Sequence, residues 1–306
     1  MTQMRRLDVP RRRDPFERGR TSAVRCFDIE REEFERVQRE RPELVAASET
    51  ALMLLSPRGS RAWLHYGFDS IDAFRREFRK MLENLAGSLK ADEASSGIFL
   101  WYTDLPNRPY IEPVLSECLF AVKYEWMEMD LAALLEQPTP SDEMAPGFIL
   151  RSVPASEYEA VADVDAAAFP DDTGLAADFV EAAKRASEMR VLEERKSGRL
   201  AGYVGLRIEE GRAGKVTFLA VLPEYQRRGF GEEMLRWGLG WFRARGMRRA
   251  RLIVLTDNAP AIALYRKLGF VPGQRGLTYR RPTSRQELDE TASKRKGTYI
   301  KFGGWR

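Results

Sequence analysis

From residue 147 onward, apolar positions follow the short period of strands in some segments and the longer period of helices in others. Short apolar runs predict strands at residues 147–153, 189–196, 199–209, 215–222 and 249–255. Helical spacing predicts helices at residues 155–169, 175–188, 230–245 and 259–268. Two short strands, near 270–272 and 277–281, are predicted to end this half. Because strands and helices alternate, the pattern favours an α/β or α+β sheet with helices on both faces.

The first half of the chain ends with a similar order of elements. Ser70 is positioned to cap a helix, and the apolar strand Ile98–Tyr102 follows it. After that strand, Thr-Asp and then Asn-x-Pro-x-Ile occur at 103–111, and the same order recurs at 256–262. The recurrence predicts that the two halves arose by duplication. The alternative is two unrelated α/β units that share their turn chemistry.

The two halves are separated by a segment that lacks a hydrophobic period. Residues 136–146 contain three prolines and are predicted to form a linker. The predicted organisation is a first domain at 1–135 with a basic N-terminal tail, a second domain at 147–281, and a C-terminal extension at 282–306.

Composition excludes several classes of protein. The 306 residues are 43% hydrophobic and 31% charged, as in globular proteins large enough for two domains. No apolar run reaches the roughly 20 residues of a membrane span. His65, Cys26 and Cys118 are the only histidine and cysteines, so the second half has neither a Ser-His-Asp triad nor a His/Cys zinc site. We therefore expect a cytoplasmic protein without disulfides or a bound metal.

Arginines are clustered although the net charge is only +4. One cluster is Arg11–Arg13, and the other runs from Arg243 to Arg251. Two interpretations remain open: solvated surfaces, or a surface that holds nucleic acid. No aromatic residues alternate with the basic residues of the tail, so nucleic-acid binding is the less favoured interpretation.

The segment from Val221 to Met234 carries the most specific chemistry. A strand stops at Pro223, a loop with two arginines and two glycines follows, and a helix begins at once. Glycine lets the backbone approach a ligand closely, and the free N–H groups of a helix start favour anions. Arg227 and Arg228 add charges that can grip phosphate. The segment therefore predicts a pyrophosphate site. A dinucleotide-binding Gly-x-Gly-x-x-Gly motif is not present, because Met234 stands in place of its third glycine, and no Walker A motif follows.

This segment resembles the signature of the GNAT superfamily of acyl-CoA N-acyltransferases. In that family a strand ends in Val-x-Pro and is followed by Gln/Arg-x-x-Gly-x-Gly/Ala, as at Val221–Pro223 and Gln226–Gly231 here. A second family pattern, Asn-x-x-Ala-x-x-Leu-Tyr-x-x-x-Gly-Phe, matches residues 258–270. The resemblance covers about 147–281. It implies two GNAT-like domains, each a mixed, mostly antiparallel sheet with helices on both faces.

The resemblance implies acetyl-CoA as acyl donor and assigns roles to single residues. Leu219, Ala220 and Val221 lie on the strand whose backbone holds the pantetheine arm. The pyrophosphate loop would consist of Gln226, Arg227, Arg228, Gly229, Phe230 and Gly231. Asn258 matches the asparagine beside the cofactor, and Tyr265 matches the tyrosine near its sulfur. Tyr265 would act as the general acid toward the departing thiolate. From its spacing alone it is equally compatible with a core position beside Leu264 and Leu268.

The general base is left open by the sequence. Family members often carry a carboxylate on the fourth strand, where this chain has Thr217 and Phe218. Glu209, Glu210, Asp171 and Asp172 are candidates only because they are near in sequence.

The first half lacks the features of a cofactor site. Its matching helix start, residues 66–72, has one glycine, no arginine, and the acidic Asp69 and Asp72. Val114 stands where the repeat would place the tyrosine. We therefore expect a degenerate GNAT-like first domain and one acetyl-CoA per chain.

The expected function is transfer of acetyl from acetyl-CoA to a primary amine of a small molecule or peptide, by direct attack on the thioester. The alternative is a non-catalytic regulatory protein that senses acetyl-CoA or binds nucleic acid.

Overall fold

The computed structural model describes residues 14–132, 134, 144–169, 176–209, 211–289 and 291. The arginines of the N-terminal tail, most of the predicted linker and most of the C-terminal extension lie outside these residues. Three of the candidate carboxylates, Asp171, Asp172 and Glu210, also lie outside them.

Contacts divide the chain into two compact units that do not follow the order of the sequence. The first comprises residues up to Ser56, Trp63–Leu89 and Asp104–Cys118. The second comprises Pro57–Ala62, Lys90–Thr103 and the residues from Leu119 onward. The second unit thus takes up segments from both halves of the sequence. The domain limits drawn from the sequence remain a prediction.

The first unit combines four helices with short antiparallel strands. Its elements are α1 (Pro15–Thr21), β1 (Val24–Cys26), α2 (Arg31–Glu40), β2 (Val45–Ala47), most of β3 (Ala51–Arg58), most of β4 (Arg61–Phe68), α3 (Ile71–Gly87) and α4 (Arg108–Glu117). β1 pairs with β4 and β2 with β3, each antiparallel. A cluster of aromatic rings from β4 and α3 fills the core, with Phe74 and Phe78 4.6 Å apart between ring centroids.

The start of α3 is capped by its own sequence. The Ser70 Oγ accepts a hydrogen bond from the Ala73 backbone N–H at 3.1 Å, which confirms the predicted cap. Asp72 lies in the first turn of this helix, and Arg18 contacts the Asp69 carboxylate at 3.4 Å. One N–H group of this helix start is therefore already used, and Arg18 and Arg75 pair with its two acidic residues, Asp69 and Asp72.

The second unit contains a mixed sheet of eight strands. They are β5 (Gly97–Tyr102), β6 (Ala121–Leu131), β7 (Phe148–Ser152), β8 (Glu188–Glu194), β9 (Leu200–Glu209), β10 (Ala213–Val221), β11 (Arg249–Leu255) and β12 (Val271–Arg281). Their order is β5-β12-β6-β11-β10-β9-β8-β7. Only β10 and β11 are parallel among the described pairs of this sheet. The predicted mixed, mostly antiparallel sheet is confirmed.

Helices cover both faces of this sheet, as predicted. They are α5 (Tyr158–Ala168), α6 (Ala176–Ala183), α7 (Phe230–Ala244) and α8 (Ala259–Lys267). On one face Phe179 of α6 packs against Tyr203 of β9, with ring centroids 5.3 Å apart. On the other face α7 approaches so closely that a Cβ on Gly214 would lie 2.5 Å from the Phe242 ring.

Strands from the two halves of the sequence are interleaved in this sheet. β6, the last strand of the first half, pairs with both β11 and β12. β12, the last strand of the second half, pairs with both β6 and β5. Each half of the sequence therefore places its final strand between two strands of the other half.

The prediction of two short strands at 270–272 and 277–281 is wrong. The chain forms one strand, β12, whose register with β6 shifts between Pro272 and Arg275. Proline and Gly273 weaken the local strand signal, but pairing with β6 carries the backbone through this irregularity.

This arrangement predicts that residues 144–291 will not fold as an independent domain. Without β6, the long edges of β11 and β12 lose their common partner, and backbone groups of both strands lose their hydrogen bonds. We expect the fragment to show no cooperative thermal unfolding by circular dichroism, and we expect co-expression with residues 1–132 to restore it. A fragment that melts cooperatively near the temperature of the intact chain would contradict this account.

Candidate active site

The main feature of the site is an opening between the two parallel strands of the second unit. β10 and β11 pair over only four positions, from Ala213 with Arg249 to Val216 with Leu252. β10 then continues to Val221 beside β9, and β11 continues to Leu255 beside β6. Beyond Val216 the facing edges of these two strands form no ladder. Unpaired backbone groups need a partner, so an extended molecule can take the place of a strand there.

The opening begins at an irregularity in β10. The register with β9 shifts between Val216 and Phe218, so Thr217 is an extra residue in β10. The Thr217 hydroxyl is buried and has no hydrogen-bond partner in the described part of the chain. Gly205 leaves the necessary room, because a Cβ there would lie 2.5 Å from Phe218 and 3.1 Å from the Thr217 Oγ1. The structure thus places an unpaired hydroxyl where the sequence lacks the expected carboxylate.

A row of free backbone N–H groups lies at the mouth of this opening. From Arg227 to Gly231, the five consecutive N–H groups have no acceptor among the described residues. The two residues with positive φ, Arg227 at 60° and Gly229 at 88°, turn the chain into α7. Such a conformation is strained for arginine and is typical of functional loops. The row of N–H groups and the helix dipole together form an anion site.

The predicted loop side chains have different roles. Gln226 donates from Nε2 to the Val221 carbonyl at 3.0 Å, which ties the loop to the end of β10. Arg228 donates to the Glu224 carbonyl at 3.1 Å and lies over the Tyr225 ring. Arg227 forms no hydrogen bond or ion pair within the described chain. Arg227 is therefore the arginine whose charge is available to a phosphate.

Two acidic residues in the first turn of α7 do not cancel this positive charge. Glu232 forms ion pairs with Lys267 at 2.6 Å and with Arg236 at 2.9 Å, and these hydrogen bonds lower its pKa. Glu233 accepts a hydrogen bond from the Ala145 N–H at 3.2 Å. Both carboxylates are held by partners other than the loop N–H groups.

Three elements converge beside the loop. A Cβ on Gly231 would lie 3.7 Å from Leu264 of α8 and 3.9 Å from Val221 of β10. Asn258 caps α8, because its side-chain oxygen accepts from the Ala261 N–H at 3.2 Å. The loop at residues 226–231 therefore lies beside the end of β10 and beside α8, the helix that carries Tyr265.

Tyr265 is buried, at 8% exposure, and packs against Phe270. Its hydroxyl has no hydrogen-bond partner among the residues that the structure describes. Burial raises the pKa of the phenol to about 12. Because its hydroxyl oxygen is not fully buried, this phenol, protonated at neutral pH, can donate a hydrogen bond to a bound molecule.

Glu209 is the only one of the four sequence-predicted base candidates that the structure describes. Burial alone would raise its pKa, but the hydrogen bond from Arg251 and the charges of Lys215, Arg251 and Arg207 outweigh burial, so its pKa is below its usual value. Arg251 donates to it at 2.6 Å from Nε, and Arg207 at 3.2 Å. A carboxylate held in this way is a poor proton acceptor. Interleaving brings a different carboxylate, Glu128 of β6, beside β11, where local sequence does not predict it.

Across the described residues, no group of three or more His, Cys, Asp or Glu side chains could hold a metal ion. No helix in the described ranges is long and apolar enough to cross a membrane.

Comparison with known proteins adds three findings. Residues 158–270 match the Acetyltransferase (GNAT) family. The mycothiol acetyltransferase of Saccharomonospora viridis is 34% identical over 164 residues, which cover 48% of this chain and 54% of that protein. The putative [ribosomal protein bS18]-alanine N-acetyltransferase of Bacillus subtilis is 38% identical over 78 residues, or 26% of this chain and 51% of that protein. The chain thus spans about half the length of these curated relatives.

Among solved structures, a tandem GNAT protein from the clavulanic acid biosynthesis pathway has a TM-score of 0.54 at 15% identity. The match covers 81% of this chain and 86% of that one. The likeness shows the fold. The expected tandem GNAT arrangement is confirmed at that level.

The loop geometry predicts that Gly229→Val will weaken binding of acetyl-CoA more than about tenfold. Valine cannot adopt a φ of 88° without strain, so the row of N–H groups would lose its arrangement. Gly246→Val is the matched control, because Gly246 follows the other end of α7 with a φ of 75° and both positions have open space around the added Cβ. Calorimetry should show weakened binding for the first variant alone. Equal affinities would exclude this loop as the phosphate site.

Proposed function

We propose that this chain, whose residues 158–270 match the Acetyltransferase (GNAT) family, transfers the acetyl group of acetyl-CoA to a primary amine. The observation that carries the proposal is the opening between β10 and β11 with five free N–H groups at its mouth. An extended pantetheine arm fits the unpaired strand edges, and a pyrophosphate fits the loop N–H groups.

Each predicted binding residue has a part in this proposal. The backbone of Leu219, Ala220 and Val221 lines the opening and takes the pantetheine arm. The loop from Gln226 to Gly231 takes the pyrophosphate, with Arg227 supplying the free charge and Phe230 packing into the core at 2% exposure. Asn258 orients α8 through its cap and so positions Tyr265. The capped, acidic start of α3 lacks these features, which supports a single acetyl-CoA site per chain.

The proposed reaction is direct attack. The amine nitrogen bonds to the thioester carbon, the carbon–sulfur bond breaks, and the coenzyme leaves as a thiolate. A thiol has a pKa near 8.5, so complete proton transfer from a phenol of pKa about 12 is uphill by about 5 kcal/mol. Tyr265 therefore acts by donating a hydrogen bond to the developing thiolate, and water supplies the proton afterwards.

The acceptor is proposed from the relatives. The first choice is the amine form of mycothiol, since the relative from Saccharomonospora viridis carries the name mycothiol acetyltransferase. The second is a peptide with an N-terminal alanine, after the relative from Bacillus subtilis.

The alternative, a regulatory protein that senses acetyl-CoA or binds nucleic acid without catalysing a reaction, has less support. Arg251 of the second arginine cluster is paired with Glu209, and Arg245 lies over the Trp241 ring at 3.7 Å. The ion pair offsets the charge of Arg251, and the ring contact holds Arg245 against the protein, so both are less available to nucleic acid.

The test is release of coenzyme A from acetyl-CoA against a panel of amines that includes both proposed acceptors. The proposal predicts release with at least one of them. Tight binding of acetyl-CoA without release to any amine would favour the regulatory alternative instead.

We predict that Tyr265→Phe will lower kcat about 10²-fold while the affinity for acetyl-CoA stays within about twofold, because only the hydroxyl is lost. Tyr110→Phe is the control, since that ring is 50% exposed. Steady-state kinetics and calorimetry provide the two readouts. Full turnover of the Tyr265 variant would show that this residue has only a structural role in the core.

A further inference from the structure

Attack by an amine requires a proton acceptor. The position on β10 where family members often carry a carboxylate has none in this chain. A primary amine with a pKa near 10 is neutral in only about one part per thousand at pH 7. On β10 the relevant residues are Thr217 and Phe218, and Glu209 is engaged by Arg251. Within the described residues, a carboxylate base would therefore have to lie on another element that borders the opening.

β6 borders the opening from the far side of β11. Glu128 pairs in register with Ile253, which is the first residue of β11 beyond its last pair with β10. Paired strands lie about 4.8 Å apart, so the backbone of Glu128 is about that far from Ile253 of β11. Because β10 and β11 are unpaired beyond Leu252, the opening begins on the other side of Ile253.

The side chain of Glu128 is on the same face of the sheet as Thr217. Lys215, Arg251 and Asp130 are paired across three strands and share one face. Glu128 is two residues from Asp130, so alternation places it on that face. Thr217 is on it too, because Lys215 pairs with Arg207, Gly205 is two residues from Arg207, and a Cβ on Gly205 would lie 3.1 Å from the Thr217 Oγ1. The carboxylate and the unpaired Thr217 hydroxyl therefore flank the start of the opening together.

Glu128 is free to act as a base. It is half-buried and forms no hydrogen bond or ion pair with any residue that the structure describes. Burial raises its pKa, Asp130 and Glu209 add to this effect, and Arg251 and Lys215 oppose it. These charged groups face Glu128 from its own strand β6 and from β9, β11 and β10. On β12, the residues opposite Glu128 are the uncharged Gly273 and Gln274. A carboxylate with a raised pKa is a stronger proton acceptor than Glu209.

We propose that Glu128 is the general base of the acetyl transfer. Its carboxylate takes one proton from the acceptor ammonium, directly or through one water, as the nitrogen lone pair forms the bond to the thioester carbon. The carbon–sulfur electron pair leaves with the thiolate, the second N–H proton of the attacking nitrogen passes through water to that thiolate, and Glu128 then returns its own proton to solvent. The inference rests on the proposed function, and it gives the first half of the sequence a catalytic carboxylate.

The test compares Glu128→Gln with Glu125→Gln in the full chain, using the amine that supports wild-type turnover. Glu125 is an exposed residue of the same strand on the opposite face, so its variant makes the same charge change away from the site. At pH 7 we expect kcat/KM to fall 10²–10⁴-fold for Glu128→Gln and to stay within twofold for Glu125→Gln. Affinity for acetyl-CoA should be unchanged in both.

The pH profile separates a base from a structural residue. Without Glu128 the amine must lose its proton to solvent, so the activity of Glu128→Gln should rise about tenfold per pH unit up to the pKa of the amine. The deficit against wild type should therefore shrink with rising pH. A deficit that is constant with pH, or a variant with wild-type activity, overturns the assignment while leaving the proposed function in place. A wild-type chain without turnover on any amine overturns both.

Discussion

The hydrogen bonding of β11 is the constraint on which the candidate site depends. A strand that separates from one neighbour keeps its place in a sheet only if its other edge stays paired. β11 leaves β10 after Leu252, yet it remains paired with β6 from Ala250 to Leu255. β6 in turn is held by β12 on its other side. The opening between β10 and β11 is therefore supported by a strand from the other half of the sequence.

The other features of the site follow from how β10 ends. β10 terminates in a loop whose left-handed residues expose five N–H groups, and α7 begins there with its positive dipole end. The Gln226 side chain joins this loop to the Val221 carbonyl, and Leu264 of α8 packs beside Gly231. The proposed positions of the pyrophosphate, of the pantetheine arm and of Tyr265, the hydrogen-bond donor to the sulfur, thus lie along one continuous path. Glu128 adds a carboxylate at the beginning of that path.

Local sequence predicted those parts of the fold whose determinants are themselves local. The strand at 249–255 and the Ser70 cap agree with the structure because apolar runs and capping residues act within a few positions. The left-handed turn at residues 226–231 could be predicted because its glycines and arginines are adjacent in the chain. By contrast, the interleaving of β6 and β12 depends on pairing between residues more than one hundred positions apart, which no local pattern encodes. The continuity of β12 and the position of Glu128 were missed for the same reason.

Hydrogen–deuterium exchange of the intact chain, with and without acetyl-CoA, tests the central claim most directly. The N–H groups of residues 227–231 have no protein acceptor, so they should exchange rapidly in the free protein. We expect acetyl-CoA to slow exchange at these five residues and to leave the start of α3, at Ile71–Ala73, unchanged. Unaltered exchange at 227–231, or equal slowing at both helix starts, would contradict the account.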